Sequence, residues 1–310
     1  MILVCDVGGT HTRIALAEKI RDEWQLSALA ESPTTPDIAG TVSRFAQGAG
    51  GGSVTAAAFG GAGAVTPDGS IRLTNAGVLL DPAELARAAG VERAVVVNDF
   101  AAIAAAIPEL PPAAIVPCGG GVAAPDAPRI VLGPGTGLGV ATLVPTGKTW
   151  IVVAGEGGHA DLAPTDDEEL HAWRELRERQ GRVSAEMVLS GPGLTQLFAV
   201  FAPGEAKSPS EIAEAAWRGE PRAARAVRLF TRWLGRYAGN LALVAGARGG
   251  VYLAGGILPR WGARFDVPAF REAFEDKPPY RDWLRAVPGF FITHPQPGLL
   301  GLAVLASAEP

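Results

Sequence analysis

Two turns rich in glycine and threonine, each between short apolar runs, constrain the fold of this chain most strongly. The first, Asp6-Val-Gly-Gly-Thr10, joins the runs Ile2–Cys5 and Arg13–Leu16. The second, Gly133–Gly139 (GPGTGLG), joins two further apolar runs, Ile130–Leu132 before it and 140–144 after it. An apolar run, a tight glycine turn and a returning run predict a β-hairpin. Because the pattern occurs in both halves, the sequence carries a weak internal repeat.

Strands and helices alternate along the rest of the chain. Ala94–Val97 has the composition of a buried strand, and Phe100–Ile107 after it has helical composition. Asp81 followed by Pro82 predicts an N-cap and the first position of a helix. The pattern over Pro221–Ala245 predicts a long helix with one apolar face. This alternation indicates an α/β fold.

Composition excludes several classes of protein. Of the 310 residues, 48% are hydrophobic and 19% are charged, which allows a large core and excludes disorder. The net charge is 27 − 32 = −5, so we expect no binding to nucleic acid or to an anionic membrane. Cys5 and Cys118 fit neither a disulfide framework nor a zinc spacing, which favours a reducing cytoplasm. Arg248 and several glycines interrupt the most apolar window, Leu241–Leu258, so we expect no membrane span.

The two glycine turns could bind phosphate. Glycines allow backbone N–H groups to converge on an anion, and a threonine hydroxyl adds a donor. The residues with this chemistry are Gly8, Gly9 and Thr10 in the first turn, and Gly135, Thr136 and Gly137 in the second. Asp6 beside the first turn would repel phosphate unless a divalent cation lay between them. Each turn taken alone is more often a plain glycine hairpin.

Other nucleotide motifs do not fit. A dinucleotide-binding fingerprint needs G-x-G-x-x-G leading into a helix, whereas the second turn leads into a strand. A Walker A motif would end at Gly147-Lys148-Thr149, but Thr142 stands where its first glycine belongs.

Several polar residues follow apolar runs or stand among glycines. They are Asn75, Asn98, Asp99, Glu156, His159 and Glu186. Taken singly, each has an ordinary alternative: Asp99 could cap a helix, Glu186 could be a solvated surface residue, and Asn75 could lie in a turn. Taken together they offer donors and acceptors for a neutral polyol, because a sugar site needs a fixed partner for each of several hydroxyls.

Seven motifs in order along nearly the whole chain resemble the bacterial glucokinase family, within the hexokinase/actin/Hsp70-type superfamily. They are Asp6-Val-Gly-Gly-Thr10, Asn98-Asp-Phe100, Gly133–Gly139, Glu156-Gly-Gly-His159, Val188–Gly193 (VLSGPG), Tyr252–Gly256 (YLAGG) and His294–Gly301 (HPQPGLLG). The resemblance implies a two-lobed ribonuclease-H-like (actin-like ATPase) α/β fold with mixed sheets and an interlobe cleft. We expect a small lobe at 1–108 plus 297–310, a large lobe at 109–296, and a homodimer.

The resemblance also implies roles. The expected reaction is phosphoryl transfer from ATP to the 6-hydroxyl of glucose, with Asp99 as the catalytic base. The positions expected to hold the sugar are Asn75, Asn98, Asp99, Glu156, His159 and Glu186. Both glycine turns would bind the phosphates of ATP, Gly255 and Gly256 would lie on the adenosine side, and Asp6 would approach Mg²⁺ through water.

One residue departs from the family pattern, and some alternatives stay open. His11 follows the first Gly-Gly-Thr, where the family more often has asparagine, which could change nucleotide affinity or add sensitivity to pH. The substrate could be another hexose or an N-acetylhexosamine. The chain could instead be a non-catalytic sugar-binding regulator, although we expect no helix-turn-helix module in the few residues before Asp6.

Overall fold

The computed structural model describes residues 1–48, 54–73 and 77–308, which divide into two compact units. The first unit comprises Met1–Ala114, Val152–Gly155 and His294–Pro310, and the second comprises Ile115–Ile151 and Glu156–Thr293. The lobe boundaries expected from the resemblance stay a prediction, since compactness alone does not show that a unit folds or moves by itself.

The strands and helices have the following bounds. The strands are β1 (Ile2–Val7), β2 (His11–Ile20), β3 (Glu23–Pro33), β4 (Ala56–Gly61), β5 (Ile71–Arg72), β6 (Leu79–Leu80), β7 (Ala94–Asn98), β8 (Ile115–Pro117), β9 (Arg129–Pro134), β10 (Leu138–Thr146), β11 (Thr149–Gly155), β12 (Val251–Leu253) and β13 (Gly289–Ile292). The helices are α1 (Ile38–Gly48), α2 (Pro82–Ala89), α3 (Asp99–Ala106), α4 (Asp167–Gln180), α5 (Ala185–Val188), α6 (Gly191–Phe201), α7 (Pro209–Trp217), α8 (Pro221–Ala245), α9 (Leu258–Trp261), α10 (Val267–Glu275), α11 (Arg281–Ala286) and α12 (Pro297–Ser307).

The first unit is built on a five-stranded sheet in the order β3-β2-β1-β4-β7. β1 pairs antiparallel with β2 and parallel with β4, so the sheet is mixed. Alternate residues of β1 are buried on opposite faces: Leu3 and Cys5 join the core with α1 and α2, whereas Val4 joins the core with α12. Burial on both faces explains why β1 has a continuous apolar run rather than an alternating pattern.

The second unit repeats this order. Its sheet runs β11-β10-β9-β12-β13-β8, and β9 pairs antiparallel with β10 and parallel with β12. The repeat suspected from the two glycine turns is therefore visible as the same strand order in both sheets. The core is built around α8, whose Phe230, Trp233 and Leu234 are fully buried. A buried ion pair between Glu169 and Arg236 (3.1 Å) joins α4 to α8.

Local signals in the sequence explain several element boundaries. The Asp81 side chain accepts the Glu84 N–H (2.8 Å) and caps α2, with Pro82 in its first turn. The long helix predicted at 221–245 has those bounds. Among the described residues, no helix is both long enough and apolar enough to cross a membrane.

Candidate active site

The first glycine turn connects β1 to β2 and is stabilised by backbone and hydroxyl hydrogen bonds. The Gly8 N–H donates to the His11 carbonyl oxygen (3.0 Å), and the Thr34 hydroxyl donates to the Gly8 carbonyl oxygen (2.7 Å). Gly9 and Thr10 are exposed at the end of the turn. The predicted hairpin is confirmed. Because His11 stabilises the turn through its backbone oxygen, a change of side chain at this position leaves that hydrogen bond available.

Asp6 lies near the end of β1 and is partly buried beside two glycines. A Cβ atom placed on Gly60 or Gly298 would lie 3.7 or 3.8 Å from its carboxylate oxygens. Burial raises the pKa of this carboxyl, and the positive charge of Arg13 on β2 opposes the rise. A carboxylate destabilised by burial is stabilised by a nearby cation. Mg²⁺ commonly takes one or two carboxylates together with waters and phosphate oxygens, so Asp6 fits as one member of such a ligand set.

Asn98 and Asp99 lie at the junction between β7 and α3. The Asn98 side-chain oxygen accepts the N–H groups of Phe100 (2.9 Å) and Ala101 (3.1 Å), and its amide donates to the Gly63 carbonyl oxygen (3.2 Å). Asn98 is therefore the N-cap of α3, whereas Asp99, expected as a possible cap, is the first helical residue, and its Oδ1 also accepts the Phe100 N–H (2.9 Å). Among the described residues, the second amide hydrogen of Asn98 has no partner, so it could donate to a ligand. Asp99 is the first residue of α3 and is partly buried.

The second glycine turn connects β9 to β10 and is stabilised by one hydrogen bond within the turn and one from α6. Inside the turn, the Gly135 N–H donates to the Gly137 carbonyl oxygen (2.8 Å). From outside, the Gly191 N–H at the start of α6 donates to the Gly135 carbonyl oxygen (2.8 Å). Thr136 is exposed at the end of the turn. This hairpin, too, is confirmed.

Gly255 and Gly256, expected on the adenosine side, lie against the second glycine turn. Gly255 has a φ of +86°, and a Cβ atom there would lie 2.5 Å from the Pro134 carbonyl oxygen. Backbone conformation and close approach both require glycine at this position. The structure thus brings together two glycine segments that are more than a hundred residues apart in the sequence.

Three of the residues expected to bind sugar converge in the second unit. The His159 Nε2 atom lies 4.0 Å from Glu156 Oε2 and 3.9 Å from Glu186 Oε1. These separations exceed hydrogen-bond lengths, so the three groups are neighbours without being bonded to one another. The other Glu186 oxygen, Oε2, accepts the Leu138 N–H (2.8 Å) at the second glycine turn. Asn75 lies outside the described residues, so its role stays a prediction.

The candidate residues are distributed over both units. Asp6, the first glycine turn, Asn98 and Asp99 belong to the first unit. The second glycine turn, Gly255, Gly256 and the Glu156–His159–Glu186 group belong to the second.

The sequence analysis missed one residue behind this group. Tyr237 on α8 is 3% exposed, and its hydroxyl donates to the Gly157 carbonyl oxygen within the short 3₁₀ turn Gly157–His159. In the sequence, Tyr237 belongs to the helix predicted over Pro221–Ala245, and no motif there gives it a role in the site. A buried tyrosine hydroxyl needs a hydrogen-bond partner, which is the signal that could have drawn attention to it.

The fold first indicates the structural class to which the protein belongs. Two mixed sheets with one repeated strand order, each with a glycine turn between two antiparallel neighbours (β1 and β2 in one, β9 and β10 in the other), form the actin-like α/β fold. Crystal structures agree: a glucokinase from an Antarctic psychrotroph matches with a TM-score of 0.88 at 32% identity, over 98% of both chains. A Balamuthia mandrillaris glucokinase, solved in complex with glucose, matches with a TM-score of 0.84 over 99% of this chain and 93% of its own; at 24% identity it supports the fold alone.

Sequence comparison then gives the family. The family model described as Glucokinase matches residues 3–309. The glucokinase of Yersinia pestis (strain Pestoides F) is 41% identical over 305 residues, which cover 96% of this chain and 94% of the relative. The chain belongs to the glucokinase family.

Proposed function

We propose that this protein transfers the γ-phosphoryl group of ATP to the 6-hydroxyl group of glucose. Its family and its 41% identity to a glucokinase support this proposal. The observation in the structure that carries it is the convergence of Glu156, His159 and Glu186 beside the second glycine turn. Fixed donors and acceptors suit a molecule with several hydroxyls, and a glycine turn suits phosphate.

The sugar would be held by hydrogen bonds to Glu156, His159 and Glu186, and by the remaining amide hydrogen of Asn98, with Asn75 as a further contact. Selectivity would come from pairing: an epimer with one hydroxyl misplaced leaves a partly buried partner without its hydrogen bond.

Asp99 would act as the catalytic base. The 6-oxygen of glucose forms a bond to the γ-phosphorus, and the bond from that phosphorus to the β–γ bridging oxygen breaks. ADP leaves with the electron pair, and the hydroxyl proton passes to Asp99. Because the transition state is loose, Asp99 would contribute by aligning the oxygen and by taking its proton late.

The two glycine turns would bind the phosphates through backbone N–H groups, with the hydroxyls of Thr10 and Thr136 as additional donors. Gly255 and Gly256 would lie on the adenosine side. Mg²⁺, held through water by Asp6, would supply positive charge to the phosphates.

We further propose that the protein acts in the cytoplasm as a homodimer. Cys5 and Cys118 are both free and buried, which supports a reducing compartment. Burial raises the pKa of Cys118 to about 12, so this thiol stays protonated and unreactive. The dimer rests on the family resemblance, and sedimentation velocity would measure it.

The proposal is tested by an assay that couples ADP release to absorbance, with glucose, ATP and Mg²⁺. Asp99→Ala should lower kcat by about 10²–10⁴-fold, while calorimetry shows that glucose still binds. Asp81→Ala is the matched control, because Asp81 also stands at a helix start in the first unit, and this variant should keep its kcat. A kcat near the wild-type value in Asp99→Ala would remove Asp99 from the mechanism.

Substrate identity is tested in the same assay. We expect kcat/KM to be higher for glucose than for mannose or N-acetylglucosamine, and higher with ATP than with ADP or polyphosphate as donor. A preference for another hexose would replace glucose in the proposal and leave the reaction type unchanged.

A further inference from the structure

Glu186 lies on the short helix α5, two of whose residues are buried. It is the second residue of α5, whose Ala185 and Val188 are fully buried. The helix is capped by Ser184, whose hydroxyl accepts the Met187 N–H (3.4 Å). The Glu186 side chain is one-third exposed. Its backbone is therefore fixed, while its carboxylate can meet a ligand.

The two oxygens of this carboxylate face different partners. Oε2 accepts the Leu138 N–H (2.8 Å) at the second glycine turn, and Oε1 lies 3.9 Å from the His159 imidazole. Oε2 thus bonds to the turn proposed to bind the nucleotide, and Oε1 lies near His159, which is proposed to bind the sugar.

Gly137 gives independent evidence that the carboxylate and the turn fit closely. A Cβ atom on Gly137 would lie 2.4 Å from Glu186 Oε2, nearer than such atoms approach one another. The φ of Gly137 is not in the left-handed region, so its backbone conformation does not require glycine. An added Cβ would instead displace the Glu186 carboxylate, which is the end of a flexible side chain. At Gly135, by contrast, the nearest atom to an added Cβ would be 3.8 Å away.

A second hydrogen bond connects the same segment to the turn. The Gly191 N–H, five residues after Glu186, donates to the Gly135 carbonyl oxygen (2.8 Å). The segment 184–191 therefore holds the turn at two points, one through a side chain and one through the backbone.

We infer that Glu186 is a positioning residue that couples sugar binding to nucleotide binding, an inference that rests on the proposed function. A sugar hydroxyl bonded to Oε1 restricts the carboxylate, and the restricted carboxylate holds the Leu138 N–H and the turn in place. The nucleotide then meets a turn that is already ordered, so its affinity rises. Because coupling is reciprocal, bound nucleotide should tighten sugar binding by the same factor.

The first test measures binding of the ATP analogue AMP-PNP with Mg²⁺ by calorimetry, without and with saturating glucose. In the wild type, glucose should tighten AMP-PNP binding by about 5–20-fold, within the usual range of coupling. Glu186→Ala should reduce that factor to about 1, whereas Glu186→Gln keeps an oxygen for the Leu138 N–H and should restore most of it. Glu156→Ala is the matched control: it should weaken glucose binding and keep the coupling factor.

The second test examines the contact between Glu186 and the turn directly and needs no nucleotide. Gly137→Ala displaces the Glu186 carboxylate and should raise the dissociation constant of glucose by about 5–20-fold. Gly135→Ala, in the same turn but with space for its methyl group, should change that constant by less than about twofold. Thermal unfolding of both variants checks that they fold. In a Glu186→Ala background, Gly137→Ala should have no further effect on glucose binding.

Two results would overturn the inference: equal effects of Gly137→Ala and Gly135→Ala on glucose binding, or an unchanged coupling factor in Glu186→Ala. If the wild-type protein bound glucose and AMP-PNP but did not transfer phosphate from ATP to glucose, the proposed function would be refuted instead. Both binding comparisons would still decide the role of Glu186.

Discussion

Replacing Tyr237 by phenylalanine should weaken sugar binding from a position that touches no substrate. The Tyr237 hydroxyl donates to the Gly157 carbonyl oxygen, inside the turn that carries His159 and follows Glu156. Burial raises the pKa of Tyr237 to about 12, so the hydroxyl remains a neutral donor throughout the assay range. Without it, a partly buried carbonyl loses this partner, at a cost of about 1–2 kcal/mol.

If about 1 kcal/mol of that cost is felt when the sugar orders the turn, the KM for glucose should rise about fivefold, since 1.4 kcal/mol corresponds to tenfold. The kcat should stay within about twofold, because Asp99 and the phosphate turns are untouched. Steady-state kinetics with glucose as the varied substrate, together with calorimetric binding of glucose, would measure both quantities.

Tyr252→Phe is the matched control. Tyr252 is also buried in the second unit, and its hydroxyl is 3.5 Å from the Gly249 carbonyl oxygen, away from the sugar-side turn. It should lose some stability and keep its KM. An unchanged KM in Tyr237→Phe, or an equal rise in both variants, would show that the Tyr237 hydrogen bond supports the fold without positioning the turn.

Two further predictions concern stability in the first unit. Gly301→Ala should lower the free energy of unfolding by at least about 1–3 kcal/mol, because the added methyl carbon would lie 1.7 Å from the Ala102 carbonyl oxygen. Gly298→Ala, on the same helix, has space for the methyl group and should lower the free energy of unfolding little. Equal urea midpoints for the two variants would refute the prediction. Hydrogen bonds to the Asp68 carboxylate, the strongest from the Thr66 hydroxyl, lower the pKa of Asp68 from 3.8 to about 2. The ionised carboxylate therefore stabilises the fold above about pH 4, and this contribution is lost as the pH falls to about 2. The difference in urea midpoint between wild type and Asp68→Asn should therefore narrow over this interval, and a constant difference would contradict the assignment.

Much of the fold was predictable because its signals are local. A cap followed by proline marked the start of α2, and apolar periodicity gave the bounds of α8. The glycine turns predicted both hairpins. By contrast, every residue of β3 is exposed or partly exposed, so no apolar pattern marked Glu23–Pro33 as a strand. Its position depends on pairing with β2, which composition does not encode.

The site was predictable in its residue types but not in its connections. Carboxylates, an imidazole and glycines among apolar runs indicated where ligands could bind. The contact from Tyr237 to Gly157 spans 80 residues and ends on a backbone oxygen, for which no side-chain pattern exists. The bond from the Leu138 N–H to Glu186 likewise spans 48 residues. The sequence also could not decide which of the adjacent residues Asn98 and Asp99 is the N-cap of α3, and the structure shows that it is Asn98.

The repeated sheet order shows how one arrangement of strands can carry different residues in the two units. In both units the fourth strand of the shared order ends near a glycine pair, Gly60–Gly61 in one and Gly255–Gly256 in the other. Glycine is needed at both for close approach: a Cβ atom on Gly61 would lie 2.7 Å from a Leu80 methyl carbon, and one on Gly255 would lie 2.5 Å from a backbone oxygen. The units differ in what they add. In the first unit β7 ends at Asn98 and is followed by the carboxylate of Asp99, whereas the segment 156–191 follows β11. Because the scaffold positions only strand ends and turns, the chemistry at each can diverge without altering the sheet beneath it.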